Sequence, residues 1–227
     1  MPTLVIANKC YSSWSLRPWL MLKELGAAFD EVMVPLDDAG TSDTLRRYSA
    51  SAKAPVLIDG DLTVWDSLAI MEYLAERHEP GRVWPIDPAA RVLARCLSAE
   101  MHSGFQGLRS KCPMNLGKHY AFRDRGPAVA RDVDRIVQAW RDPRDRFGRG
   151  GPFLFGTFSA ADAMFAPVVT RLDTYGFDVG ADIRAYMDAI LGLASFREWR
   201  AAALKESWSI RDDEVDEVAL IDHRSAA

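Results

Sequence analysis

The run Lys53-Ala54-Pro55-Val56-Leu57-Ile58, the turn at Asp59-Gly60 and the stretch Trp65-Asp66-Ser67 form one unit of structure. Pro55 lacks the N–H that a sheet ladder needs, so it belongs at a strand's first residue or on an edge. The chain reverses at Asp59-Gly60, returns through Leu62-Thr63-Val64-Trp65 and enters a helix whose first residues are an acid and a hydroxyl. A cis Ala54-Pro55 bond would turn the Val56 backbone outward and leave its N–H and C=O for a ligand. A helix N-terminus bearing Asp66 and Ser67 suits both an ammonium and a carboxylate. The unit reads as a receptor for a small peptide-like ligand. An ordinary hairpin followed by an Asp/Ser helix cap is the simpler alternative.

Strand and helix signals alternate around this unit. Thr3 to Ala7 is a short apolar run that reads as a buried strand. Leu16, Trp19, Leu20, Lys23 and Leu25 follow at helical spacing, and Gly26 ends that helix as a C′ residue does. Phe29 to Leu36 reads as a second strand, and the polar stretch Asp37 to Ser51 holds a short helix around Thr44 to Tyr48. The Pro55 strand, its partner at Leu62 to Trp65 and a helix from Ser67 to about His78 complete the order β-α-β-α-β-β-α. Residues 1–80 are therefore expected to form a small α/β domain with a mixed sheet.

Glu79 to Pro88 holds three prolines and a glycine in ten residues, which places a linker over 81–88. Beyond it the periodicity predicts helices over Ala89–Arg109, Ala128–Phe147, Ser159–Tyr175, Ile183–Leu193 and Phe196–Lys205. Residues 89–227 read as an all-helical domain, with an acidic tail from Ile210 expected to be loosely held. Ser159 and Asp162 have the spacing of a capping box.

The chain has 227 residues, 48% apolar and 26% charged, ample for a real core. A net charge of −4 argues against a nucleic-acid binder, and no apolar run reaches the roughly 18 residues of a membrane span. The N-terminus enters a strand pattern without the features of a signal peptide. Cys10, Cys96 and Cys112 are odd in number and lack C-x-x-C spacing, which points to reduced thiols in a cytoplasmic setting. His78, His102, His119 and His223 show no metal-ligand spacing, so a zinc site is not expected; attack by a thiolate requires neither a metal nor a nucleotide.

Between the first strand and the first helix lies Asn8-Lys9-Cys10-Tyr11-Ser12-Ser13-Trp14-Ser15-Leu16-Arg17-Pro18. Serines and an arginine crowd a helix N-terminus, where unpaired N–H groups and a positive potential favour a thiolate. A hydroxyl that donates to the sulfur adds to the effect. The plainer reading is that one serine, Ser15, caps the helix. Cys10 reads as a buried structural thiol.

Four segments in order, S-S-W-S-L-R-P at 12–18, K-A-P-V-L at 53–57, W-D-S at 65–67 and F-S-A-A-D at 158–162, resemble the cytosolic glutathione transferases. The resemblance runs from Thr3 to about Trp208 and implies a thioredoxin-like N-terminal domain followed by an all-helical C-terminal domain. The S-S-x-S run is most similar to the serine-type, zeta-like branch, with theta-like features. There a serine activates the glutathione sulfur, a role that falls on Ser12, with Ser13 its neighbour, Arg17 adding positive field and Tyr11 an alternative donor. Pro55 matches the family's cis-proline, Val56 the residue pairing with the cysteinyl part of glutathione, and Asp66 and Ser67 the pair receiving the γ-glutamyl end. Lys53 stands where many relatives carry glutamine and can instead meet the glycyl carboxylate. The resemblance implies a second-substrate pocket between the domains, offering Met101, Phe105 and Arg109 on one face of the long helix. It also implies a homodimer, a detoxifying transferase acting on small electrophiles, and glutathione as co-substrate. A zeta-like cis-trans isomerase of the maleylacetoacetate type, with Arg17 and Arg109 meeting an anionic substrate, and a non-catalytic ligand-binding module are the alternatives.

Overall fold

The computed structural model describes residues 1–36 and 38–224; Asp37, the first residue of the polar stretch, lies outside them. Strand β1 (Thr3–Ile6), helix α1 (Ser13–Glu24), strand β2 (Asp30–Met33), helix α2 (Thr41–Arg46), strands β3 (Val56–Asp59) and β4 (Leu62–Val64) and helix α3 (Ser67–Arg77) follow in the expected order. The sheet runs β2-β1-β3-β4, with β1 parallel to β2 and antiparallel to β3, and β3 antiparallel to β4. β2 is shorter than the apolar run suggested, and α2 begins three residues before the expected Thr44.

Strand alternation sorts β1 between two cores. Leu4 and Ile6 join Leu16, Leu20, Leu57 and Ile70 in the large core, while Val5 meets Val34, Leu45 and Val56 in a small cluster. Helix α1 ends where expected: Gly26 has φ +68°, a left-handed conformation that glycine enters without steric penalty.

After α3 come α4 (Pro88–Ser103), α5 (Gln106–Lys111), α6 (Pro127–Phe147), α7 (Ala160–Thr174), α8 (Ala181–Leu191) and α9 (Ala194–Ala203). Helix α7 is buried along nearly its whole length and packs against both α1 and α4, which ties the two halves of the molecule together. Its entry carries the expected box: Asp162 Oδ2 accepts from the Ser159 N–H and hydroxyl, both at 2.9 Å, and Oδ1 accepts from the Leu154 N–H at 3.0 Å.

Two expectations are corrected. The helix expected over Ala89–Arg109 is two helices, because the chain turns at Gly104 and Phe105. A Cβ on Gly104 would lie 2.7 Å from the Glu100 carbonyl oxygen, and Phe105 takes a left-handed φ of +58°. Apolar periodicity continues across this break and so does not reveal it. The second part is helical as expected, with one small addition: β5 (Lys118–His119) pairs antiparallel with β6 (Ile221–Asp222).

The acidic tail is held, not loose. Just before it, Glu206 accepts from the Lys9 and Cys10 N–H groups at 2.6 and 3.1 Å. Glu214 takes hydrogen bonds from Tyr11, Asn115 and Lys118, and Glu217 pairs with Arg125 at 2.7 Å. The charge run reads as solvated only while its partners, about a hundred or more residues away in sequence, are unseen.

Candidate functional site

A cleft of about 1110 Å³ opens where the N-termini of α1 and α3 face α4, α5 and the C-terminal segment. The first wall starts with a tight turn, in which the Asn8 carbonyl accepts from the Tyr11 and Ser12 N–H groups at 3.2 and 2.8 Å. This turn starts α1 early and makes Ser12, not Ser15, the N-cap. Ser12 Oγ accepts from the Ser15 N–H at 3.4 Å and donates to Ser15 Oγ at 2.8 Å, and Ser15 Oγ in turn accepts from the Ala7 N–H at 3.0 Å. Ser12 and Ser13 both line the cleft, and the Ser13 hydroxyl makes no hydrogen bond among the described residues. Tyr11 also lines it, but its hydroxyl is committed to Glu214 at 2.7 Å; burial first, then that bond, raises its pKa far above the ordinary phenol value. Cys10 is fully buried with its pKa raised by burial, in keeping with a structural thiol.

The second wall is the Pro55 unit. The Ala54-Pro55 bond is cis, and so is Trp65-Asp66, which no local signal announced. Lys53, Ala54 and Pro55 line the cleft; Val56 is buried with its side chain in the small cluster. Asp66 caps α3, its Oδ1 accepting from the Leu68 and Ala69 N–H groups at 3.0 and 3.4 Å. Its Oδ2 stands 3.0 Å from Nε2 of His102 on α4, a contact that steers the carboxylate from the other half of the molecule. Ser67 is fully buried, does not line the cleft, and accepts from Arg17 Nη1 at 3.2 Å.

Arg17 is itself 1% exposed and does not line the cleft. Its guanidinium lies 4.2 Å from the ring centroid of Trp14, and Arg109 lies 4.7 Å from the same centroid. Burial, then Arg109 and Arg171, pull the Arg17 pKa down to about 9, which leaves it charged at neutral pH. Arg17 therefore lies behind the cleft wall, against the Trp14 ring and hydrogen-bonded to the buried Ser67. Of the expected face Met101, Phe105 and Arg109, only Arg109 reaches the cleft; Met101 and Phe105 are core, because the break at Gly104 ends the shared face.

Among the lining residues that sequence reasoning missed are Trp14, His102, Arg171 and Asp213. Trp14 lay inside the quoted serine run and could have been found there. The others carry no local signal. Asp213 sits in a one-turn 3-10 segment (Arg211–Asp213) of the tail. Burial raises its pKa from 3.8 to about 6, with Arg171 opposing. The folded protein thus holds the Asp213 proton at pH values where the unfolded chain has released it. The resulting stabilisation is complete below about pH 3.8 and is lost as pH rises through about 6. Lowering pH from 7.5 to 5 is expected to shift the urea stability of the native protein relative to Asp213→Asn by about 1 kcal/mol in the native protein's favour, after allowance for solvent screening. A pH-independent difference would contradict the burial of this carboxylate.

Known proteins share this fold. Residues 11–77 match the family model for the glutathione S-transferase N-terminal domain, and residues 126–202 match the C-terminal domain. The chain is similar to the maleylacetoacetate isomerase of Rattus norvegicus, 27% identical over 212 residues that cover 86% of this chain and 90% of the relative. It is also 27% identical over 190 residues to a stringent starvation protein A homolog of Pasteurella multocida, covering 79% and 81% of the two chains. The crystal structure of a glutathione transferase homolog from Burkholderia gl BGR1 with bound glutathione superimposes with a TM-score of 0.67, at 23% identity and over 89% and 97% of the chains. Two domain models in the family's order and a shared fold lead to one conclusion: the chain belongs to the glutathione S-transferase family.

Proposed function

We propose that the chain is a glutathione-dependent transferase that joins the thiolate of glutathione to a small electrophile. The observation that carries the reading is that two helix N-termini, each with its cap residue in the wall, open on one cleft beside a cis-proline. The positive potential there suits a thiolate at one end and a carboxylate at the other.

The residues fit the tripeptide. Asp66, exposed and steered by His102, offers a carboxylate to the γ-glutamyl ammonium, while the Ser67 N–H, the one N–H of the first three residues of α3 not taken by Asp66, meets its carboxylate. Pro55 and the backbone of Val56 hold the cysteinyl part, and Lys53, exposed on the rim, meets the glycyl carboxylate. Ser12 donates to the sulfur by turning its proton from Ser15 Oγ, exchanging a neutral hydrogen bond for a charge-assisted one. Ser67 and Arg17 support this half from below. The bound thiol supplies the nucleophile; the chain's own part is to hold it ionised and oriented.

A second reading, a glutathione-dependent cis-trans isomerase, is favoured by the cationic wall at Arg109 and Arg171 and by the likeness to the rat enzyme. Calorimetry with glutathione and paired assays on a chromogenic aryl halide and on maleylacetone separate the possibilities. Conjugation of the aryl halide is expected. Isomerisation without conjugation moves the assignment to the isomerase, and no heat at millimolar glutathione leaves a non-catalytic binding module. A homodimer is part of the same proposal, and sedimentation velocity tests it.

A further inference from the structure

The turn that leads into α1 is held from the far half of the chain. It closes on the Asn8 carbonyl, which accepts from the Tyr11 and Ser12 N–H groups, and this closure leaves the N–H and C=O groups of Lys9 and Cys10 unused. All four find partners beyond α5. Glu206 accepts both N–H groups, that of Lys9 on Oε1 at 2.6 Å and that of Cys10 on Oε2 at 3.1 Å. Trp199 Nε1 donates to the Lys9 carbonyl at 2.9 Å, and the Leu116 N–H donates to the Cys10 carbonyl at 3.2 Å. Successive N–H groups that converge on one carboxylate form a nest, and filling it holds the dihedral angles of the residues that supply them.

Glu206 is half-buried, forms no ion pair among the described residues and does not line the cleft. Burial raises its pKa, while the two N–H groups and then Arg224 oppose the rise. The segment beyond it is pinned a second time on the same turn, where Glu214 Oε1 accepts from the Tyr11 hydroxyl at 2.7 Å. Ser12 follows directly. A rotation at Lys9 or Cys10 swings the Asn8 carbonyl away from the Ser12 N–H and moves Ser12 Oγ relative to the cleft. Misplacement of a reacting group by about 1 Å is enough to cost about 100-fold in rate.

We propose that Glu206 is a positioning residue for Ser12: by filling the nest at Lys9 and Cys10 it sets the turn that aims the Ser12 hydroxyl into the cleft. The inference rests on the preceding functional reading for what Ser12 does there. The charge and the geometry of Glu206 act in opposite directions, which makes the role separable. A carboxylate behind the turn opposes a thiolate in front of it, so removing the charge alone favours the thiolate. Loosening the turn disfavours it.

The test is a double-mutant cycle on the full chain near pH 7.5, with glutathione and whichever of the aryl halide and maleylacetone the chain turns over. Glu206→Ala is expected to lower kcat about tenfold, to leave the KM for glutathione within about twofold, and to raise the pKa of the bound thiol in ultraviolet titration. In the Ser12→Gly background the same substitution is expected to cost less than about twofold, because the hydroxyl that the turn aims is gone. Glu206→Gln keeps the volume and one acceptor oxygen. It is expected to lose about threefold, with the thiol pKa again raised, and it carries the test if alanine lowers the urea midpoint too far. The same cycle read on the thiol pKa needs no second substrate. An equal loss in both backgrounds, an unchanged kcat and thiol pKa in Glu206→Ala, or a thiol pKa that falls in Glu206→Gln overturns the proposal and leaves the functional reading standing. A native chain that binds no glutathione in calorimetry fails the functional reading itself, and the positioning role falls with it.

Discussion

Replacing Ser12 by glycine is expected to lower the proposed glutathione-dependent turnover about 100-fold while helix α1 stays folded, the cost of one hydroxyl donor aimed at a developing or resident anion. Glycine is the informative substitution because it removes the hydroxyl yet remains an acceptable N-cap, weakening the helix by only a few tenths of a kcal/mol. Alanine at the same place would add about 1 kcal/mol of lost capping and mix two effects. The Ser12 hydroxyl has one proton, which now goes to Ser15 Oγ at 2.8 Å; Ser15 Oγ already accepts from the Ala7 N–H, so it can give up the second donor at little cost. Ser13→Ala is expected to cost less than about tenfold, since this hydroxyl is at most an auxiliary donor. The checks are kcat/KM for each variant and the ultraviolet titration of the bound thiol, whose pKa should rise in Ser12→Gly. If Ser13→Ala is the crippled variant and Ser12→Gly is not, the role passes to Ser13, whose hydroxyl lines the same cleft.

Asp162→Ala unfolds the protein about 3–5 kcal/mol more easily, the range for breaking a buried charged network. Asp162 is fully buried, and its carboxylate satisfies the Leu154 N–H, the Ser159 N–H and the Ser159 hydroxyl together. Burial pushes its pKa up to about 6, with the donors holding it down, so the group is ionised at neutral pH. Removing it leaves buried donors without acceptors at the start of the helix that packs against both α1 and α4. Asp162→Asn keeps the volume but offers one acceptor oxygen, so whichever way the amide faces, one set of donors is lost. The denaturant midpoint at pH 7.5 measures both variants, with alanine expected to fall further. A loss below about 1 kcal/mol for alanine would mean that the box is ornamental, no stronger than an exposed cap.

The parts of this protein that were legible along the chain depend on groups a few residues apart. Pro55 at a strand entrance, the turn at Asp59-Gly60, Gly26 beyond α1, Asp66 at the start of α3 and the Ser159–Asp162 box act within about one turn or one hairpin, the range over which backbone dihedrals and caps operate. The alternation that divides Leu4 and Ile6 from Val5 is equally local. Where the reading went astray, the cause lay beyond that range. Ser15 looked like the cap because apolar periodicity starts near Leu16, but the turn on the Asn8 carbonyl moves the helix start to Ser13 and the cap to Ser12. Arg17 looked like a cleft residue because it follows the serines, but its side chain runs under Trp14 to Ser67.

Residue types and their spacing were enough to specify two helix N-termini, a proline at a strand entrance and the family those features mark; that the Ala54-Pro55 bond is cis came from the structure. Which side chains share the cleft was decided by folding. The bend at Gly104 and Phe105 keeps Met101 and Phe105 in the core and brings Arg109 to Trp14. The return of the tail brings Asp213 toward Arg171, and α4 sets His102 against Asp66. Contacts of this kind join residues about forty to two hundred positions apart. Their geometry follows from how whole helices pack, and charge acts through space with no regard for sequence distance. The two helix N-termini of the cleft were therefore legible along the chain, whereas the wall formed by Arg109, Arg171 and Asp213 exists only in three dimensions.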